Sequence, residues 1–289
     1  MKTPLWTGCA LVAFAANSVL CRLALGGGAL IDAASFTTIR LAAGACVLLL
    51  ITVAFNKNSL SLSQAKPVSA LLLFLYAAAF SFAYTKLSAG TGALVLFGSV
   101  QATMLLAALR SGERPHPSEW AGFALALGGL VYLVFPGLSA PPLVSSIFMV
   151  VAGISWGLYS LRGRGGSDPL ADTTGNFVLA LPLAVALNLI TSLSAAVHVS
   201  QRGVWLAVLS GALASGVGYV VWYAALRGLT AVRAATVQLA VPVLAAAGGV
   251  LLISEGITPR LLLAACVILG GVGLALSGRG RAAQVSTAD

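Results

Sequence analysis

Gln101 follows Phe97 by four residues, and Pro242 follows Gln238 by four. At helical spacing each pair shares one face. An amide in an apolar stretch is costly without a hydrogen-bond partner, so both glutamines, like Asn17, call for a neighbouring helix or a solute. Around them the chain sets aromatic side chains: Phe80, Tyr84, Trp156, Tyr159, Tyr219, Trp222 and Tyr223. Trp156 and Tyr159, three apart, can form one wall. Any single such aromatic also suits lipid contact or an interfacial belt. Together these residues suggest a binding cavity for neutral or zwitterionic solutes with an apolar part. We assign substrate binding to Asn17, Phe80, Tyr84, Phe97, Gln101, Trp156, Tyr159, Tyr219, Tyr223 and Gln238. Pro242 is assigned as a gate or hinge, because proline frees a backbone carbonyl and permits bending.

Other chemistries find little support. The seven acidic residues are Asp32, Glu113, Glu119, Asp168, Asp172, Glu255 and Asp289, all at segment ends, in loops or in the tail. None is expected at mid-membrane depth, where a carboxylate marks proton coupling or a cation site. Glu113 and Glu255 are expected to cap or brace the ends of spans 4 and 9. His116 and His198 fall in loops, and no metal-ligand spacing occurs. Cys9, Cys21, Cys46 and Cys266 read as packing residues. The glycine runs at 26–28 and 163–166 lack the Lys-Ser/Thr of a phosphate loop. The chain is therefore expected to be no enzyme and to need no cofactor or metal. Arg40 lies about seven residues into a span, roughly 10 Å from its start. It is expected to snorkel outward; the alternatives are a substrate carboxylate or a helix C-terminus.

These residues must be held by the long apolar stretches. Of 289 residues 59% are hydrophobic and 8% charged, with a mean hydropathy of +1.01. A soluble domain is roughly a quarter charged. About twenty apolar residues cross a bilayer, and only helices and closed barrels satisfy their backbone there. Ten spans are expected: 5–24, 33–55, 67–86, 92–110, 119–135, 143–162, 173–193, 204–226, 234–253 and 260–277. The first is read as a retained span rather than a signal peptide. The net charge of +9 is scattered at segment ends, a topology signal rather than a nucleic-acid surface. With the N-terminus cytoplasmic, eleven Lys and Arg fall inside and five outside, accounting for all sixteen. Both termini are thus expected in the cytoplasm.

One string is written twice. "ERPHPSEWAGFALALGG" (113–129) and "EGITPRLLLAACVILGG" (255–271) share Glu, Pro four residues on, and a closing Gly-Gly, at an offset of 142 (255 − 113). "LSAGTGALV" (87–95) lies over "LTAVRAATV" (229–237) at the same offset. "DAASFTTIR" (32–40) lies over "DPLADTTGN" (168–176) at a slightly smaller one. The expected architecture is an all-α polytopic membrane protein with ten transmembrane helices as two inverted five-helix repeats. The first repeat covers 1–140, the second 141–280, and 281–289 forms a cytoplasmic tail. Inverted repeats are a recurrent transporter design, with the site near mid-membrane between them.

These strings, with Arg40 in "TTIRLAAGA", Pro242 in "LAVPVLAA" and Asn17 in "AFAANSVLCR", resemble the EamA-type family of the drug/metabolite transporter superfamily over nearly the whole chain. "GISWGLYSLRGRG" and "GYVVWYAALRGL" are most similar to YddG-type aromatic amino acid exporters. Ser99-Val100-Gln101 stands where the family pattern carries proline in span 4. The resemblance implies ten spans, cytoplasmic termini and export of amino acids or other small metabolites across an inner membrane.

The resulting expectation is alternating access through a central uncharged, aromatic cavity lined by spans 1, 3, 4, 6, 8 and 9. Its partners would be an amino acid substrate, aromatic or large neutral first, and membrane lipid. Nucleic acid is excluded, and the chain would act as a monomer or weak homodimer. Nucleotide sugars or lipophilic drugs are the alternative cargo, and a non-transporting scaffold the alternative class. Without a mid-membrane carboxylate, facilitated efflux is favoured over proton coupling.

Overall fold

The computed structural model describes residues 2–55, 66–110, 117–135, 140–163, 168–194, 196–227 and 237–285. Glu113, His116, Lys57, Arg114, Arg164, Arg233, Asp289 and most of the string 229–237 lie outside these. The side chains of Lys2, Glu119, Arg279 and Arg281 do too. Among the described residues the chain is helical, apart from a single antiparallel bridge between Ile31 and Val199.

The helices are α1 (Lys2–Leu25), α2 (Ala33–Phe55), α3 (Pro67–Tyr84), α4 (Ala89–Arg110), α5 (Pro117–Val134), α6 (Leu143–Gly163), α7 (Pro169–Ser194), α8 (Gln201–Leu226), α9 (Ala240–Ile253) and α10 (Pro259–Val285). Helices α1 to α4 and α6 to α8 are long and apolar enough to cross a membrane. The apolar stretches of α5, α9 and α10 are shorter: Trp120–Leu133, Ala240–Ile253 and Pro259–Gly271. Helix α10 continues to Val285, past the expected end at 277, because helix does not stop where apolarity does.

Starts are written in the sequence. Proline opens α3, α5, α7 and α10, where its missing N–H costs nothing. Asp32 accepts from the Ser35 amide at 2.8 Å, and Asp168 from those of Leu170 and Ala171 at 3.1 Å. The two aligned aspartates thus cap α2 and α7 alike. Ser200 caps α8 through Gly203 at 3.1 Å. Inside the helices Thr37, Thr52, Ser81 and Ser99 donate to the carbonyl four residues earlier, so these hydroxyls need no outside partner.

The outside is not that of a soluble protein. Leu193 is 89% exposed and Leu251 80%, while Arg40 is 1% exposed. Large apolar side chains cover the outside as well as filling the core, and polar ones are drawn inside with them, as a hydrocarbon solvent allows. Arg40 does not snorkel: it points into the bundle, where hydroxyls and rings from other helices receive it.

The twin strings meet. Helices α5 and α10 pack chiefly on each other. A methyl group on Gly129 would press into Val267 and Ile268 of α10. One on Gly271 would press into the Gly122 carbonyl and the Ala126 amide of α5. Small residues let helix backbones approach closely, and here each string supplies that gap to the other. Gly128 and Gly270 meet nothing.

Gly271→Leu is expected to cost about 1–3 kcal/mol through overpacking, lowering the thermal midpoint of the detergent-solubilised protein followed by circular dichroism. Gly270→Ala leaves the midpoint unchanged or slightly raised.

Candidate functional site

Helix α3 carries Tyr76, Phe80 and Tyr84 four residues apart, one aromatic stripe on one face. Tyr76 and Phe80 line a cavity with Phe14, Asn17 and Ser18 of α1, Leu96 and Phe97 of α4, and Trp156 of α6. Its free volume is about 10 Å³, room for a single water. The rings form a continuous cluster. Trp156 lies 5.0 Å from Tyr76, 5.8 Å from Phe14 and 4.8 Å from Tyr219 of α8; Phe14 lies 5.5 Å from Trp222. Such tilted and edge-on pairs are favourable beyond the area they bury.

Beside this cavity runs a buried hydrogen-bond chain. Ser210 donates to Asn17 Oδ1 at 2.6 Å, and Asn17 Nδ2 donates to the Tyr76 hydroxyl at 3.3 Å. Arg40 Nη2 donates to the same hydroxyl at 3.1 Å, and Arg40 Nε to Ser215 at 3.2 Å. The guanidinium lies over the rings of Tyr76 at 5.2 Å and Phe80 at 5.0 Å.

Helix α8 is built to meet it. Its middle, Ser210–Val217, is a π-helix between the α-helical pieces Gln201–Leu209 and Gly218–Leu226. At about 100° per residue two α-helical residues five apart face well away from each other. The i→i+5 register of a π-helix brings them together, so Ser210 and Ser215 both face α1 and α2. Gly211 makes the approach possible, because a Cβ there would overlap the Arg40 carbonyl.

A second cavity lies at one end of the bundle. It is lined by Lys66, Ser69, Tyr159, Arg162, Asp172, Thr173, Asn176 and Tyr223. Lys66 pairs with Asp172 at 3.3 Å, and Arg162 donates to Ser69 at 3.4 Å. This region is charged, unlike the central cavity, because the ends of α3, α6 and α7 converge there. At the other end Glu255 accepts from Arg22 and from the Ala89 amide, both at 2.8 Å, and Arg22 also reaches the carbonyls of Tyr84 and Thr85. Glu255 is a brace, as expected, but what it caps is the start of α4. The 18-residue α3 separates the two ion pairs, a length of roughly 27 Å at 1.5 Å per residue.

The assigned residues therefore divide. Asn17, Phe80, Phe97 and Trp156 line the central cavity, and Tyr219 joins its aromatic cluster. Tyr159 and Tyr223 line the end cavity, with Tyr159 stacked 5.7 Å from Trp156. Tyr84 meets Phe80 edge-on at 4.7 Å and donates to the Ala89 carbonyl. Gln101 and Gln238 are in neither lining. Pro242 occupies the first turn of α9, which starts at Ala240 after a break at Leu239. With no N–H of its own, Pro242 donates no hydrogen bond back across that break. Sequence reasoning misses Phe14, Tyr76, Ser210 and Ser215. Tyr76 is visible one turn before Phe80; the serines require knowing the π register.

Comparisons with known proteins agree with this picture. The profile described as the EamA-like transporter family matches residues 1–135 and 143–277. An uncharacterized Pseudomonas aeruginosa protein is 51% identical over 98% of this chain and 98% of its own length. A probable amino-acid metabolite efflux pump of Escherichia coli is 26% identical over 64% of this chain and 66% of its own. Its Salmonella typhimurium namesake is 28% identical over 67% and 70%. One crystal structure shares the fold with a TM-score of 0.65 at 22% identity, covering 94% of this chain and 98% of its own.

Ser210→Ala removes the donor to a buried amide oxygen and is expected to cost about 1–3 kcal/mol. The check is thermal unfolding in detergent against Ser192→Ala, whose exposed hydroxyl bonds only its own helix.

Proposed function

The chain belongs to the EamA-like transporter family, and from that premise we propose that it exports amino acids, aromatic or large neutral first, and related small metabolites by alternating access. The observation that carries this reading is the aromatic cavity between α1, α3, α4 and α6. Beyond it on either side stands an ion pair joining the first half of the chain to the second, Arg22 with Glu255 and Lys66 with Asp172. Opening one tie while the other holds would expose the cavity to one side at a time. The Escherichia coli and Salmonella typhimurium relatives named amino-acid metabolite efflux pumps support the cargo class.

In this reading the ten helices are ten spans in two inverted five-helix repeats, 1–140 and 141–280, in a bacterial inner membrane with both termini cytoplasmic. Three observations support the repeat. The family profile falls on two segments offset by 142 (143 − 1), the offset of the twin strings. Asp32 and Asp168 cap equivalent helices. Gly129 and Gly271 each admit the opposite helix. Asn17, Phe80, Phe97 and Trp156 would touch the solute in the central cavity, while Tyr159 and Tyr223 line its way to the Lys66 end. The transporter works as a monomer or weak homodimer.

Proteoliposomes preloaded with unlabelled amino acid are expected to take up labelled L-phenylalanine, L-methionine or L-threonine above the empty control, without a pH gradient. Failure of all three would refute the amino acid reading. Trp156→Ala is expected to lower the rate about tenfold, consistent with loss of a large aromatic contact. Leu251→Ala, at an outward-facing position, leaves it unchanged.

A further inference from the structure

Arg40 places a guanidinium at the centre of the bundle, and no carboxylate among the described residues pairs with it. The ion pairs among those residues are Arg22–Glu255 and Lys66–Asp172, toward the two ends. Asp32 lies eight residues back along the chain and is engaged by the amides of Ser35 and His198. The groups that accept from Arg40 are the neutral hydroxyls of Ser215 and Tyr76. They occupy Nε and Nη2; Nη1 is buried and no described protein group accepts from it. A buried charge without a counter-charge is strongly unfavourable, and cation–π contacts offset only part of that cost. A bracing role between α2, α3 and α8 accounts for Nε and Nη2. It accounts for neither Nη1 nor the missing negative charge.

The two rings over the guanidinium, Tyr76 and Phe80, also line the central cavity, as does Asn17, bonded to the same Tyr76 hydroxyl. The charge thus stands one aromatic ring behind the cavity wall. A turn of either ring would bring the free edge of the guanidinium to a solute. We propose that Arg40 is the anion-recognition residue of this cavity, taking the carboxylate of a solute whose apolar part lies among Phe14, Phe97 and Trp156. A carboxylate matches the planar fork of arginine through two parallel N–H donors and supplies the charge the protein omits. An amine without a carboxylate is repelled by the same charge. This deepens the transporter reading and rests on it: the cargo is a carboxylate-bearing solute, a zwitterionic amino acid included, and not an organic cation.

Four ligands sharing one ring test this: L-phenylalanine, 3-phenylpropanoate, L-phenylalaninamide and phenethylamine. Their affinities are measured by calorimetry on the full-length protein in detergent. The two carboxylates are expected to bind at least about tenfold more tightly than the two ligands without one, tenfold being the scale of a single such contact. Arg40→Gln is expected to bring all four within about threefold of one another, and Arg40→Lys to keep a reduced preference. Equal affinities in the native protein, a preference for the amines, no binding of either carboxylate, or an unchanged preference in Arg40→Gln would each overturn the proposal. If Arg40→Gln does not fold, the native ratio and Arg40→Lys decide. The two readings separate cleanly. Binding of 3-phenylpropanoate but not L-phenylalanine leaves Arg40 as a carboxylate site and removes the amino acid cargo. Equal binding of L-phenylalanine and its amide does the reverse.

Discussion

The hydrogen bonds from Arg40 to Ser215 and Tyr76 set the geometry of the bundle's interior. A guanidinium at 1% exposure can be kept only where acceptors are delivered to it. The surrounding helices are shaped to deliver them. Helix α8 leaves the α register over Ser210–Val217 and reduces to glycine at 211, so that its backbone lies on the Arg40 carbonyl and Ser215 reaches the side chain. Helix α3 turns Tyr76 toward the same point, and the Tyr76 hydroxyl carries the link on to Asn17 of α1. A π segment is seldom retained without a use; this one aligns two serines that an α-helix would point apart.

The polar chain and the aromatic cavity share residues. Tyr76 gives its ring to the cavity and its hydroxyl to Arg40, and Asn17 lines the cavity while taking a bond from Ser210. A change in the cavity is therefore felt by the network, and the reverse. Trp156 touches Tyr76, Tyr219 and Tyr159, so the same stacked rings lead from the central space to the charged one at the Lys66 end.

Much of the helical frame is legible in the amino-acid sequence. The span expected at 33–55 is α2 to the residue, and 143–162 falls one short of α6, because apolar length is a local signal. The paired aspartates and paired glycines are legible as repetition, though not as caps and contacts. Other features depend on distant partners. Arg40 reads as a snorkelling side chain because its own neighbourhood is apolar; its acceptors come from residues 76 and 215. Gln238 reads as a cavity residue because an amide in a span must be satisfied, and the sequence does not say by whom.

The exchange of glycines between α5 and α10 bears on how such a chain can vary. Gly129 is fitted to Val267 and Ile268, and Gly271 to Gly122 and Ala126. Each string is the other's mould, so neither can drift alone. A bulkier residue at 129 must be answered by a smaller one at 267 or 268, while one at 271 meets backbone at 122 and 126 and has no such answer. Two segments that face each other in this way keep their likeness as a lock and its impression do, for as long as both must close.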